Sequence, residues 1–266
     1  RKTGGHAPPL LLAMTCEKWK LQGWQERLRS DLVIAAVESR PLLVQAASES
    51  ATVAEVTAPP KNRLISHCED CFDPLRDFVI PSAVLPVDAA RYRYYNREPS
   101  SRELLLTWHG EHARTKSRED VAEGYREVNE TVRLDLLDYL AGKPNTSIGG
   151  PSLRYSYLMG NSHFCLVPRG RGWWTVRLFE TFYAGCIPVL LSDDQELPFT
   201  DDLDWERFSL KWPMRKTGHG LYEHLETLVR DNWETVAALH AGVRGAACWF
   251  DYHAWEDEGC SPYLGL

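Results

Sequence analysis

The sequence predicts an α/β fold in which parallel strands alternate with helices. One observation is the order of elements in the second half: an apolar run at 164–167, a helical pattern at 175–184 and another apolar run at Ile187–Leu191. Strand, helix and strand with short connections are typical of a parallel βαβ unit. The other observation is a series of short apolar runs in the first half, each of strand length.

In the first half, the apolar runs at 32–37, 42–44 and 78–80 predict short strands, and Pro81 ends the last of them. A polar stretch around residues 97–102 then separates two parts of the chain. We therefore predict a first domain over residues 1–98 and a second domain over residues 99–266.

In the second half, residues 104–108 predict a buried strand that ends at Gly110. Apolar residues recur at three- and four-residue spacing over 118–140 and predict an amphipathic helix, which Gly142 ends. A last helix is predicted within 220–239. This order is Rossmann-like, and such sheets bind ligands outside the carboxyl ends of their strands.

Composition limits the function. The net charge is −7 and the pI is about 5.7, so we expect no general nucleic-acid binding, which usually requires a basic surface. The apolar stretch at 8–14 is too short to cross a bilayer, so we expect no membrane anchor within this sequence. Seven cysteines leave at least one without an intrachain partner, and connectivity stays open. Cys165 and Cys186 are expected to pack as buried strand residues.

The most informative segment lies at 162–189. A strand leads through a glycine-containing loop at 168–174 directly to a helix N-terminus, where unpaired amides and the helix dipole favour an anion. Thr175 is placed as the N-cap. The loop also holds Trp173 and Trp174, which could stack on a base or a sugar or pack between domains.

Arg177 falls in the first turn of this helix, where a cation opposes the helix dipole. Its presence is explained if it neutralises a diphosphate. Glu180 lies three residues later on nearly the same face, where it could accept hydrogen bonds from ribose hydroxyls. An intrahelical salt bridge between the two side chains is the equally weighted alternative.

Several segments together carry a family resemblance. They are Asp-Phe-Val-Ile-Pro at 77–81, Leu-Leu-Thr-Trp-His-Gly at 105–110, the block at 162–191, Leu-Pro-Phe at 197–199, Leu-Asp-Trp at 203–205 and Phe-Ser at 208–209. Over 78–209 the chain resembles the exostosin glycosyltransferases, which include heparan sulfate polymerases and plant cell-wall glycosyltransferases. The region before residue 78 matches the family poorly and is shorter than its N-terminal domain.

The resemblance implies a GT-B-like architecture of two Rossmann-like domains, with an incomplete N-terminal domain and the donor site in the C-terminal domain. It implies inverting transfer from a UDP-sugar to a glycan or glycoprotein acceptor, with no obligatory metal or other cofactor. The expected donor-binding residues are Gly110, Arg169, Gly170, Thr175, Arg177, Glu180 and Asp193. For the full-length protein the resemblance implies a type II membrane protein of the Golgi. The oligomeric state stays open, and oligomers with a related glycosyltransferase are one alternative.

The catalytic base is not identified by the sequence. Inverting transfer needs a base that removes the acceptor's hydroxyl proton, and the candidates are Glu69 and Asp70 in the first domain and His109 and Glu111 in the second. Each of the four also has an ordinary surface interpretation.

Three alternatives remain open. The Asp-x-Asp spacing of Asp202 and Asp204 resembles a metal–diphosphate motif, but we interpret it as a structural turn. His67, Cys68 and Cys71 form a compact group that could bind zinc, although a disulfide or burial is expected instead. The shortened first half is also compatible with a catalytically inactive partner or scaffold subunit of a glycosyltransferase complex.

Overall fold

The computed structural model describes residues 10–14, 32–36, 78–110, 132–169, 175–193 and 195–253. The chain forms two compact units, one comprising Arg1–Ile80 with Asp194–Pro198 and the other Pro81–Asp193 with Phe199–Leu266. The predicted boundary at 98/99 therefore falls inside the second unit. It lies after helix α1 (Pro86–Tyr95), which packs against the helices of that unit.

The first unit contains a three-stranded parallel sheet. Its strands are β1 (Leu10–Met14), β2 (Leu32–Ala36) and β3 (Phe78–Val79), paired in the order β1-β2-β3. The strands predicted at 32–37 and 78–80 are confirmed, whereas the run at 42–44 lies outside the described residues. The apolar stretch at 8–14, which is too short to cross a bilayer, contains β1.

The second unit contains a five-stranded parallel sheet. Its strands are β4 (Leu104–His109), β5 (Thr146–Gly149), β6 (Ser162–Pro168), β7 (Ile187–Leu191) and β8 (Leu210–Lys211). They are paired in the order β5-β4-β6-β7-β8. Every residue of β6 and β7 is buried, as expected of central strands that are covered on both faces.

Helices α2 (Tyr155–Gly160) and α3 (Val176–Ala184) lie in the crossovers between β5 and β6 and between β6 and β7. Because crossovers between parallel strands are right-handed, these two helices lie on one face of the sheet. The crossover from β4 to β5 runs in the opposite direction, so the helical segment that ends in the π-helix Leu136–Leu140 lies on the other face. Of the helix predicted over 118–140, residues 132–140 are described.

The predicted C-terminal helix is two helices rather than one. Helix α4 covers Leu221–Asp231 and α5 covers Trp233–Ala246. Asn232 separates them because its backbone leaves helical geometry and its side chain accepts a hydrogen bond from the amide of Thr235, the N-cap interaction that starts α5. Among the helices that the structure describes, none has the length and apolar composition needed to cross a membrane.

The helix α3 ends at Gly185 in the left-handed conformation, with φ of 63°. A Cβ atom there would lie 2.4 Å from Oδ1 of Asn96, so both the backbone and the space require glycine. Immediately after it, Cys186 is joined to Cys165 of β6 by a disulfide. Both cysteines are buried as expected, but their pairing could not be read from the sequence.

Candidate functional site

The strand order in the second unit indicates where a ligand-binding crevice lies. From β4 the chain moves outward to β5 on one side, and from β6 it moves to β7 on the other. Ligands of open α/β sheets bind outside the carboxyl ends of the strands at such a switch point, which here lies between β4 and β6. Gly110 follows β4 and Arg169 follows β6, so two of the predicted donor-binding residues lie at this edge.

Helix α3 begins at the same edge. Thr175 has extended backbone geometry, and its hydroxyl accepts a hydrogen bond from the amide of Arg177 at 3.4 Å, so the predicted N-cap is confirmed. The first turn of α3 carries no acidic side chain, and its amides therefore provide a positive end without a built-in counter-charge.

Arg177 reaches back across this edge. Its Nε atom donates a hydrogen bond to the hydroxyl of Tyr155 at 2.6 Å, and Nη2 donates to the backbone carbonyl of His109. The guanidinium also lies over two aromatic rings, at 5.6 Å from the centroid of Trp108 and 5.4 Å from that of Tyr155. A cation in the first turn of α3 is thus fixed by neighbours on β4 and α2.

Gly110 lies directly against this guanidinium. A Cβ atom at Gly110 would be 3.0 Å from Nη2 of Arg177 and 3.2 Å from Cζ2 of Trp108. The absence of a side chain at Gly110 therefore lets the guanidinium approach the end of β4. The indole nitrogen of Trp108 has no hydrogen-bond partner within the described part of the chain, although the ring is fully buried.

Glu180 lies one turn further along α3 and is half-buried. Its partner is Tyr92 of α1, whose hydroxyl donates a hydrogen bond to the carboxylate. Burial raises the pKa of Glu180, while the bond from Tyr92 and the charge of Arg177 act in the opposite direction. Among the described residues, Arg177 is thus bonded to Tyr155 and His109, and Glu180 to Tyr92, in place of the intrahelical salt bridge.

His109, a candidate for the catalytic base, has both ring nitrogens engaged. Nδ1 lies 2.8 Å from the carbonyl oxygen of Gly150 and Nε2 lies 2.9 Å from the hydroxyl of Ser147. A carbonyl can only accept, so Nδ1 donates a hydrogen bond to Gly150, while Nε2 is bonded to the Ser147 hydroxyl. Both ring nitrogens thus hold the ring against β5.

The other two described candidates occupy neighbouring strand ends. The buried Arg169 donates from its backbone amide to the carbonyl of Leu191 at 3.2 Å, which extends the pairing of β6 and β7. Asp193 follows β7, and its carboxylate accepts from the amide of Met214 at 3.0 Å. Its backbone carbonyl accepts from Lys211 of β8, so Asp193 supports the turn after β8.

Several predicted residues lie outside the described part of the chain. They are the donor candidate Gly170, the base candidates Glu69, Asp70 and Glu111, the tryptophans Trp173 and Trp174, and the thiol group of His67, Cys68 and Cys71.

The interpretation of Asp204 as part of a structural turn is confirmed. Its carboxylate accepts from the amide of Glu206 at 3.2 Å and thereby starts the 3₁₀ helix Trp205–Arg207. Within the described ranges, His, Cys, Asp and Glu side chains form no group of three that could hold a metal ion.

Sequence reasoning missed three aromatic residues of this site: Tyr155, Tyr92 and Trp108. Tyr155 contacts Tyr92 edge-on, with ring centroids 6.3 Å apart, so the partners of Arg177 and Glu180 touch each other. A signal was present for Trp108, which precedes the strand end at His109 and Gly110. None was present for Tyr92 and Tyr155, because the helices that carry them were not predicted.

Fold and site together define an α/β protein with a parallel sheet, whose switch point presents a helix N-terminus and a fixed arginine suited to an anionic group. The family model of the exostosin GT47 domain matches residues 45–227, more than two thirds of the chain. The chain therefore belongs to the exostosin GT47 family. The predicted GT-B-like class, with two units of parallel sheet, is confirmed.

Individual relatives match over shorter segments. The exostosin-1 homolog of Caenorhabditis elegans is 51% identical over 51 residues, which cover 19% of this chain and 13% of that protein. A probable glycosyltransferase of Arabidopsis thaliana is 31% identical over 143 residues, covering 52% of this chain and 24% of that protein. The chain thus spans less than a quarter of the length of these curated relatives.

Among solved structures, the HepE protein of Anabaena, crystallised in complex with UDP and glucose, is similar with a TM-score of 0.41. It is 11% identical in sequence, and the likeness covers 91% of this chain and 67% of that one.

Proposed function

We propose that this chain carries the donor site of an inverting glycosyltransferase that uses a UDP-sugar. In the proposed reaction, a hydroxyl oxygen of a glycan or glycoprotein attacks the anomeric carbon of the sugar. The bond from that carbon to the β-phosphate oxygen breaks, and the electron pair leaves with UDP. The hydroxyl proton passes to a base.

The observation that carries this proposal is the position of Arg177. Its guanidinium lies at the start of α3 and against Gly110 at the end of β4, so the positive end of the helix and a fixed cation converge on one point. Both features favour a diphosphate. An arginine here also stabilises the leaving UDP electrostatically, the role that a metal ion has in other transferases, so the reaction needs no obligatory metal.

We assign the remaining donor contacts to the other candidate residues of this segment and of the neighbouring strand end. Thr175 and the amides of the first turn of α3 bind the phosphates, with Gly170 and Arg169 in the loop before them. Glu180, one turn along and exposed on part of its surface, accepts from the ribose hydroxyls. Asp193, at the end of the next strand, contacts the sugar with the same carboxylate that accepts from the amide of Met214.

Among the candidates for the base, Glu69, Asp70 and Glu111 are favoured over His109. Both ring nitrogens of His109 already have hydrogen-bond partners, the carbonyl of Gly150 and the hydroxyl of Ser147. Membership of a family whose curated relatives include proteins named as glycosyltransferases favours an enzyme over a catalytically inactive partner.

The proposed compartment is the Golgi lumen, with the full-length protein anchored as a type II membrane protein. The disulfide between Cys165 and Cys186 supports an oxidising compartment, because cytosolic proteins rarely keep such bonds. Expression of the full-length protein in cells, followed by protease protection of the domain in sealed microsomes, tests this location.

Calorimetric titration of the purified chain with UDP, with and without Mn²⁺, tests the donor site. We expect metal-independent binding that weakens at least about tenfold in Arg177→Ala, because a charge-assisted hydrogen bond is worth roughly 1.5–3 kcal/mol. The matched control is Arg230→Ala, since Arg230 is exposed on α4 and pairs with its neighbour Asp231. Equal UDP affinity in wild type and Arg177→Ala would overturn the proposal.

A further inference from the structure

Arg177 uses one defined edge of its guanidinium within the described structure. The two atoms that donate, Nε to Tyr155 and Nη2 to the carbonyl of His109, share the same edge of the planar group. The opposite edge, formed by Nη1 and Nη2, is the edge with which an arginine end can bind two phosphate oxygens at once. The Tyr155 bond therefore determines which edge is left for a ligand.

The position of Tyr155 is itself fixed by the surrounding fold. It is the first residue of α2, follows the carboxyl end of β5 by six residues, and packs edge-on against the buried Tyr92. Burial raises the pKa of its hydroxyl to about 12, with the charge of Arg177 acting in the opposite direction, so the phenol stays neutral and accepts the Nε hydrogen bond.

We propose that Tyr155 is a positioning residue for the diphosphate: it fixes Arg177 so that the Nη1–Nη2 edge is presented at the carboxyl ends of β4 and β6. This inference rests on the proposed function and adds a residue to that site. Tyr155 does not itself touch the ligand, and its hydroxyl orients the arginine. Trp108 and Gly110 also lie against the guanidinium, and we call these contacts, with those to Tyr155 and the His109 carbonyl, the Arg177 seat.

The physical reason is conformational entropy. A free arginine side chain populates many rotamers, and ordering it when a ligand binds lowers the affinity. An arginine that is already ordered by Tyr155 and the His109 carbonyl loses less on binding. Removing the hydroxyl should therefore weaken the binding of a diphosphate, while leaving a ligand without phosphates unaffected.

The test compares Tyr155→Phe with Tyr157→Phe. Tyr157 lies two residues away on α2, and its ring packs against Tyr95 and two arginine side chains, Arg97 and Arg154, outside the Arg177 seat. Binding of UDP and of uridine is measured for each variant by calorimetry and ligand-observed NMR. We expect Tyr155→Phe to weaken UDP about three- to tenfold and to leave uridine within twofold, and Tyr157→Phe to change neither.

The double variant Tyr155→Phe/Arg177→Ala completes the design. If Tyr155 acts through Arg177, the double variant binds UDP as Arg177→Ala does, because the hydroxyl then has no guanidinium to hold. Additive losses, an unchanged UDP affinity in Tyr155→Phe, or equal weakening of UDP and uridine would each overturn the positioning role. Unchanged UDP binding in Arg177→Ala alone would instead overturn the proposed function, so the two failures are distinguishable.

Discussion

At the scale of single residues, Gly110 and Arg177 form one unit. The guanidinium occupies the space that a side chain at residue 110 would need, and a Cβ atom 3.0 Å from Nη2 is closer than such atoms normally come. Either the arginine or the end of β4 would have to shift by a few tenths of an ångström. The glycine therefore gives the guanidinium room to lie against the end of β4.

The substitution Gly110→Ala should weaken UDP binding several-fold, about 1 kcal/mol or less of lost positioning, by displacing the guanidinium from its seat. Isothermal titration with UDP measures this effect. The matched control is Gly245→Ala on α5, where a Cβ atom would meet nothing within 4 Å. The control should bind UDP normally and, because alanine favours helices, unfold at a slightly higher temperature. Normal UDP affinity in Gly110→Ala would show that the seat tolerates a methyl group.

The residues of the site differ in whether the sequence alone could identify them. Thr175 and Arg177 could be placed from the sequence because a glycine-containing loop, an N-cap residue and a first-turn arginine occur together in one segment. Tyr155 and Tyr92 could not be found in this way. Their roles depend on contacts between helices that are distant in the sequence, and local spacing contains no information about such contacts.

At the scale of elements, the central strands β6 and β7 were predictable because both are fully buried and read as continuous apolar runs. Helix α1 was missed because it is rich in tyrosine and arginine and has no apolar stripe; its buried face consists of Ala89 and Tyr92. The short helix α2 was also missed, because its buried residues do not form an apolar stripe either. The break at Asn232 was missed because the helical pattern continues on both sides of it.

The disulfide gives an element-scale prediction. Cys165 lies in β6 and Cys186 precedes β7, so the bond encloses the loop and α3, the elements that present Arg169, Thr175 and Arg177. Closing a loop of 21 residues in the unfolded chain stabilises the folded state by roughly 3 kcal/mol. The variant Cys165→Ala/Cys186→Ala should lose at least this much free energy of unfolding in a urea titration.

A suitable control replaces the buried Ser192, which follows β7 and has no hydrogen-bond partner within the described structure, with alanine. That variant removes one buried atom at the same strand without removing a crosslink, and its free energy of unfolding should change little. A cysteine variant that unfolded at the same urea concentration as wild type would mean that the bond does not contribute to stability.

At the scale of the whole molecule, the strand order determines where chemistry can occur. Parallel strands align all their carboxyl ends at one edge, and the reversal between β4 and β6 opens the crevice there. The opposite edge is closed by the buried Arg102. Its guanidinium donates to the carbonyls of Ser162 and Ala184, the latter at the end of α3, and to the side chain of Asn96 at the end of α1.

Two buried histidines lie near this closed edge. Nδ1 of His163 on β6 is 3.3 Å from Nε2 of His240 on α5, and Nδ1 of His240 is 3.1 Å from the carbonyl of Gly185. Burial lowers the pKa of His163 to about 4 and that of His240 to about 3, and the positive charge of Arg102 adds to both shifts. Arg244 and His163 also lower the pKa of His240.

These shifts predict that acid destabilises the second unit. Between about pH 6.5 and pH 4 the unfolded histidines bind protons that the folded ones do not. The contribution of this pair to the free energy of unfolding is therefore greatest above pH 6.5 and falls as the pH is lowered. Each histidine adds a slope of up to about 1.4 kcal/mol per pH unit.

Urea titrations at pH 7 and pH 5 should show a smaller loss of stability for His240→Gln than for wild type, whereas His224→Gln, at an exposed position on α4, should behave as wild type does. Equal losses in wild type and His240→Gln would mean that the pair is protonated without cost, and that the folded unit can accommodate a charge beside Arg102.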